Sequence, residues 1–123
     1  MAAAARRALE SSHFRVVVRA RPILPDEHDE ADDGMEVSGD TITLRSHDSV
    51  TSSQVFQFDR VFDASSAQDE VYHGAAQTAV ASVVEGFNAS IIAYGQTGTG
   101  KTYTMEGTAE APGIIPRAIG DIF

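Results

Sequence analysis

The stretch Ser90-Ile91-Ile92-Ala93-Tyr94-Gly95-Gln96-Thr97-Gly98-Thr99-Gly100-Lys101-Thr102 decides the reading of this chain. Ser90 to Tyr94, with Ile91, Ile92 and Ala93 apolar in succession, reads as a short strand buried on both faces. From Gly95 the residues satisfy G-x-x-x-x-G-K-S/T, the signature of a loop that cradles phosphate. The glycines keep side chains out of the loop wall, so successive backbone N–H groups can turn inward at the positive end of the following helix. Gln96, Thr97 and Thr99 fill the variable positions of the loop. Lys101 can reach the outer two phosphates of a nucleotide, and the Thr102 hydroxyl can ligate Mg²⁺. Lys101 is the only lysine in the chain, the other eight basic residues being arginines. A point charge on a flexible stem suits that one position. Taken without its context, the same run could be a Gly/Thr-rich turn that binds nothing.

Downstream, Lys101 to Met105 is compatible with a helix, and Gly107, Pro112 and Gly113 forbid its continuation. Pro116 fits the first turn of a second helix, with Ile119, Ile122 and Phe123 as a new apolar face. Upstream, residues 66–85 form the clearest helical pattern. Tyr72, Ala76, Val80, Val83, Val84 and Phe87 keep the three- and four-residue spacing of a buried stripe. Ser65 and Ser66 are N-cap candidates, Ser65 with Gln68 fits a capping box, and Gly86 is placed to end the helix. Asp69 and Glu70 fall in the first turn, where the helix dipole favours negative charge.

The N-terminal half reads as strands and loops. Phe14 to Ala20, with three consecutive valines, predicts a strand that Pro22 and Pro25 stop. Glu36-Val37 and Thr41 to Leu44 predict short strands joined by a Ser38-Gly39-Asp40 turn, and Gln54 to Asp59 predicts a further strand followed by a turn through Asp63. Between Pro22 and Arg45 stand eight acids and no Lys or Arg, which reads as a solvated loop. A metal site is the sharper alternative, but the spacing does not repeat an EF-hand loop. Residues 1–13 read as a flexible tail, Ala-rich with Arg6 and Arg7 and without the continuous apolar core of a secretory signal.

Composition bounds what the chain can be. With 123 residues it fits one ordinary domain, and 42% hydrophobic with 22% charged residues is the mix of a globular protein. It has no cysteine, which excludes a disulfide scaffold, a thiolate metal site and a cysteine nucleophile. A formal net charge of −9 argues against a nucleic-acid or anionic-membrane surface. No apolar run approaches the roughly 18 residues of a membrane-spanning helix.

In order and spacing, several stretches together resemble the kinesin motor domain. They are Val16-Val17-Val18-Arg19-Ala20-Arg21-Pro22, residues 56–62 (FQFDRVF), residues 68–72, residues 86–107 through YGQTGTGKTYTMEG, and Gly113-Ile114-Ile115-Pro116-Arg117. The resemblance implies an α/β fold of the P-loop NTPase type, three layers deep. Residues 14–123 would be a partial motor domain, its nucleotide-binding N-terminal part, truncated before the switch motifs. It implies ATP or ADP with Mg²⁺ as ligand. It also implies an R-x-R-P element bordering the adenine, here Arg19, Arg21 and Pro22, and an aromatic packed on the base, here Tyr103. From the residues alone Arg19 and Arg21 are a strand-end charge pair and Tyr103 a core or surface aromatic. The strands at 14–20 and 90–94 would not be neighbours, a strand from outside this sequence lying between them.

Neither an N-x-x-S-S-R-S-H-like nor a D-x-A-G-S-E-like segment occurs in the sequence, so no catalytic residue is assigned. The complete protein is thus expected to be a microtubule motor of the cytoplasm and cytoskeleton that hydrolyses ATP. Its tubulin contacts would lie outside residues 1–123, with no nucleic acid and no membrane as partner. The alternatives are a catalytically inert nucleotide-binding fragment, which would fold only marginally by itself, and an unrelated P-loop phosphotransferase.

Overall fold

The computed structural model describes residues 14–25, 34–45 and 53–123. They fall into two compact units, residues 16–65 and residues 66–123 with Phe14 and Arg15. The tail 1–13 and the acids Asp26, Glu27, Asp29, Glu30, Asp32 and Asp33 lie outside the described residues.

Every element among the described residues of the first unit is a strand. A three-stranded antiparallel meander joins β2 (Met35–Ser38), β3 (Thr41–Arg45) and β4 (Ser53–Gln57). The β2–β3 turn is tight, Ser38 pairing with Thr41 across Gly39 and Asp40. Apart from the meander's ladder, β1 (Val17–Arg19) pairs in parallel with β5 (Arg60–Phe62). The sequence pattern predicts a turn where β5 stands and a longer β1. Only three residues of each meet, and Val16 is exposed, so the valine run is not covered on both faces.

Two exposed acids secure this unit. Asp59 Oδ2 accepts the Val16 amide at 2.7 Å, and Asp40 Oδ1 accepts the Val61 amide at 3.2 Å. Asp40 stays exposed in the turn, as its sequence context reads, and also serves as an acceptor for the Val61 amide. Among the described residues of this unit Ile42, Val61 and Phe62 are the buried apolar ones.

The second unit is helical. The predicted helix over 66–85 is two helices, α1 (Gln68–Ala75) and α2 (Gln77–Val84), divided at Ala76. Its N-cap is Ala67 instead of a serine. The Glu70 carboxylate accepts the Ala67 amide at 2.9 Å and so secures the start of α1 from its third position. Ser65 is taken up by Asp63, which accepts both its amide and its hydroxyl. The C-terminus is as expected. Gly86 takes φ 97°, its amide bonds the Val83 carbonyl at 2.9 Å, and the Phe87 amide bonds the Ser82 carbonyl at 3.0 Å. That pair of bonds is the Schellman closure.

Tyr72, Ala76 and Val80 form the core of this unit together with Ile114. Ile114 opens α4 (Ile114–Ile122), and Ile91, Met105 and Ala118 pack onto the same cluster. The far end of the predicted stripe, Val83, Val84 and Phe87, is exposed, as are Ile119, Ile122 and Phe123 of the predicted new face. Arg117 Nε donates to the Pro112 carbonyl at 2.9 Å and holds the start of α4 against the preceding loop. Tyr72 donates its hydroxyl to Asp121 Oδ2 at 2.5 Å. Burial, then that hydrogen bond and the carboxylate's charge, push the phenol up to about 12, and only the Arg117 charge opposes them.

Residues 90–94 join no strand ladder among the described residues. They alternate instead. Ile91 faces the helical core, while Ile92 is 85% and Tyr94 99% exposed. The expected strand buried on both faces is covered on one. Ladder pairing needs a neighbouring backbone, and none of the described residues supplies it.

Candidate phosphate site

The turn after Tyr94 ends in α3 (Lys101–Met105), as the motif requires. Gly100 is its N-cap at φ 90° and Gly98 sits at φ 84°. Side chains at such angles are strained, so the two glycines let the chain reverse into the helix within a few residues. At Gly95 the constraint is space. A Cβ there would lie 2.6 Å from Thr99 Oγ1, which itself donates to the Gln96 carbonyl at 2.7 Å.

Lys101 folds back over this turn. Its Nζ donates to the Gly95 carbonyl at 2.7 Å and to the Gln96 carbonyl at 2.6 Å. The ammonium is thereby centred on the loop's opening residues, five and six positions before its own. Thr102 follows at the second position of α3, exposed. A glycine pressed close to the Thr99 hydroxyl, an ammonium fixed across the turn and a hydroxyl on the next residue together offer donors that phosphate oxygens could accept. Gln96, Thr97, Gly98 and Thr99 form its exposed rim.

Tyr103 is about half exposed on α3. Arg19, Arg21 and Pro22 belong to the strand unit. There Arg19 ends β1 opposite Phe62, Arg21 Nη1 donates to the Pro22 carbonyl at 3.0 Å, and Pro22 is exposed.

One residue near the site has a role that its sequence context conceals. Gln68, an expected capping partner, is 5% exposed, and its Nε2 donates to the carbonyls of Tyr103 at 2.7 Å and Ala111 at 3.2 Å. Its place at the start of an amphipathic helix gives no sign of this. The partner carbonyls lie 35 and 43 residues away.

Among the described residues no group of three or more His, Asp or Glu could hold a metal ion. Among them, too, no helix is long and apolar enough to cross a membrane.

Comparison with known proteins bears on the whole arrangement. The kinesin motor domain family matches residues 19–123. The Arabidopsis thaliana kinesin-like protein KIN-14T is 49% identical over 87 residues, covering 71% of this chain and 10% of the relative. The human kinesin-1 heavy chain is 40% identical over 118 residues, covering 94% of this chain and 12% of the relative. A solved structure of KIF14 residues 391–755 with ADP, in complex with a microtubule, superposes with a TM-score of 0.81 at 35% identity, over 89% of this chain and 32% of that one. The chain thus spans about a tenth of the length of the two curated relatives. The fold is a partial α/β arrangement of the P-loop NTPase type, and an unrelated phosphotransferase is set aside. The loop, its lysine, the flanking helices and these matches have one reading in common: the chain belongs to the kinesin motor domain family.

Proposed function

We propose that residues 95–102 bind the phosphates of ATP or ADP with Mg²⁺, and that the chain is the nucleotide-binding N-terminal part of a microtubule motor that hydrolyses ATP. The observation that carries this reading is the Lys101 ammonium, held at 2.6–2.7 Å across the Gly95 and Gln96 carbonyls at the mouth of the loop. Phosphate oxygens offer that ammonium stronger, charge-assisted partners than carbonyls do. The Thr102 hydroxyl is the group that would hold Mg²⁺, and the ion would neutralise charge on the outer phosphates. By the family resemblance Tyr103 is assigned to the base, and so, separately, are Arg19, Arg21 and Pro22, since ring and guanidinium planes can each stack on adenine.

The KIF14 motor was solved with ADP and a microtubule, which supports the same ligand and partner for this family member. Cytoplasmic microtubules are the corresponding location. Hydrolysis needs a group to place water and groups that sense the terminal phosphate. The sequence holds neither of the expected switch segments, so this chain supplies binding and the rest of the motor supplies turnover. A second reading, an inert nucleotide-binding fragment, is favoured by the same observation for residues 1–123 alone.

Titration of the chain with MgADP by calorimetry tests the proposal, with Lys101→Ala beside it. Losing the charge is expected to weaken binding at least about a hundredfold, two charge-assisted bonds' worth. Equal affinity in the two proteins would remove the loop from nucleotide binding. Microtubule-stimulated phosphate release from residues 1–123 would overturn the assignment of turnover to other segments.

A further inference from the structure

We propose that Gln68 is a positioning residue for the phosphate loop, its carboxamide clamping the helix that carries Lys101 and Thr102. The inference rests on the nucleotide reading above. Five residues of helix are far below the roughly 12–15 that persist unaided in water, so α3 must be held by contacts from outside itself. Its last carbonyls show where. The Glu106 amide closes on Thr102 at 2.7 Å, and the Gly107 amide, which a continuing helix would send to Tyr103, also turns to Thr102, at 3.4 Å. Tyr103 takes the Gln68 side-chain N–H at 2.7 Å in place of that backbone amide.

The second N–H of the same carboxamide goes to Ala111, in the loop that returns from α3 to α4. That loop is itself fixed. Gly107 bridges Pro112, the Thr108 amide bonds Ala111, and the Gly113 amide bonds Glu106. A Cβ on Gly113 would lie 2.7 Å from the Thr104 and Met105 carbonyl oxygens, so the start of α4 sits hard against the end of α3. One buried side chain on α1 thus ties both the end of α3 and its return loop. The beginning of α3 is the Lys101-Thr102 pair, and a rigid helix transmits its end's position to its start.

The test separates donation from shape. Gln68→Met keeps size and burial but has no N–H. Gln68→Glu keeps shape and loses its N–H when ionised, yet regains one O–H donor when protonated. MgADP affinity is measured by calorimetry on the full chain at about pH 9.5 and about pH 5, above and below the roughly 8–9 to which burial can raise a glutamate. Amide-exchange protection of Thr104 and Glu106 is followed alongside, with Val80 in α2 as the internal reference. Asp69, Glu70 and His73 on α1, Lys101 on α3, Glu106 and Glu110 in the loop, and Arg117 and Asp121 on α4 are the other ionisable side chains around it, so each variant is read as a ratio to wild type at the same pH.

Gln68→Met is expected to lose about tenfold in affinity at both pH values. Gln68→Glu should lose about tenfold at the higher pH and return to within about threefold at the lower. Protection at Thr104 and Glu106 should follow the same pattern while Val80 stays protected. Unchanged affinity and protection in both variants would overturn the clamp, and so would an equal loss by Gln68→Glu at both pH values. Should Gln68→Glu fail to fold at the higher pH, Gln68→Met decides. If wild type itself takes up no MgADP, the nucleotide reading falls, and protection of Thr104 and Glu106 still decides for or against the clamp.

Discussion

Residues 90–94 and residues 95–105 adjoin in the chain and answer to different physics. The turn and α3 close on themselves: Lys101 reaches back to Gly95 and Gln96, Thr99 to Gln96, and the Thr104 amide to Gly100. Every one of those bonds spans six residues or fewer. The stretch before it joins no ladder among the described residues. Ile91 packs on the helical core, whereas Ile92 and Tyr94 turn their side chains outward. A phosphate loop is specified by its own glycines and lysine, but a strand is specified by whatever backbone lies beside it. The two segments should therefore respond in opposite ways to substitution.

The sharpest contrast is expected from Gly100→Ala. Gly100 caps α3 at φ 90°, an angle alanine reaches only with strain. A stability loss of about 2 kcal/mol is expected in thermal or urea unfolding. MgADP affinity should fall with it, because the strain sits between the loop and Lys101. A neutral result would break the comparison at its strong end, since the turn would then owe its shape to something other than its glycines.

Legibility in the sequence follows the same division. The loop, the start of α3, Gly86 as helix end and the Gly39-Asp40 hairpin turn are all readable, because each is a short-range rule about backbone angles and caps. What escapes reading depends on distance along the chain. β5 is hidden because Arg60-Val61-Phe62 follows β4 after a two-residue bend, and only the parallel pairing with Val17 to Arg19 makes it a strand. Gln68 reads as a cap because its partners lie 35 and 43 residues downstream. The buried stripe holds at Tyr72, Ala76 and Val80, which meet Ile114, and fails at Val83 and Val84, which periodicity alone cannot tell apart from them.

A smaller effect probes the core behind the loop. The Tyr72 phenol in the folded chain is pushed up to about 12 from the ordinary 10.0. Its folded value lies above the unfolded one, so the stabilisation is complete below about pH 10 and is lost as pH rises from about 10 to about 12. Unfolding temperature should drop across that window, and tyrosinate absorbance should show one phenol titrating late. Tyr72→Phe should cost about 1 kcal/mol near neutrality, the worth of one hydrogen bond to a charged partner at an exposed carboxylate, and flatten the alkaline decline. A decline equally steep in Tyr72→Phe would mean that the Tyr72 phenol is not its source.

The smallest effect is expected where the sequence is most apolar. Ile92 is 85% exposed, so Ile92→Ser removes almost no buried surface from residues 1–123 and should shift stability by under about 0.5 kcal/mol. Val80→Ala, buried at 5% exposure in α2, should cost roughly 1–3 kcal/mol in the same assay. The informative case is the same serine in a chain of the relatives' length. If residues 90–94 take ladder partners from outside residues 1–123, Ile92 there sits under a second covering layer, and its substitution should cost about as much as Val80→Ala does here. A cost that stays near zero in the longer chain would mean that the outward face of 90–94 is open by design, and the contrast with the self-closing loop beside it would then be one of sequence instead of partnership.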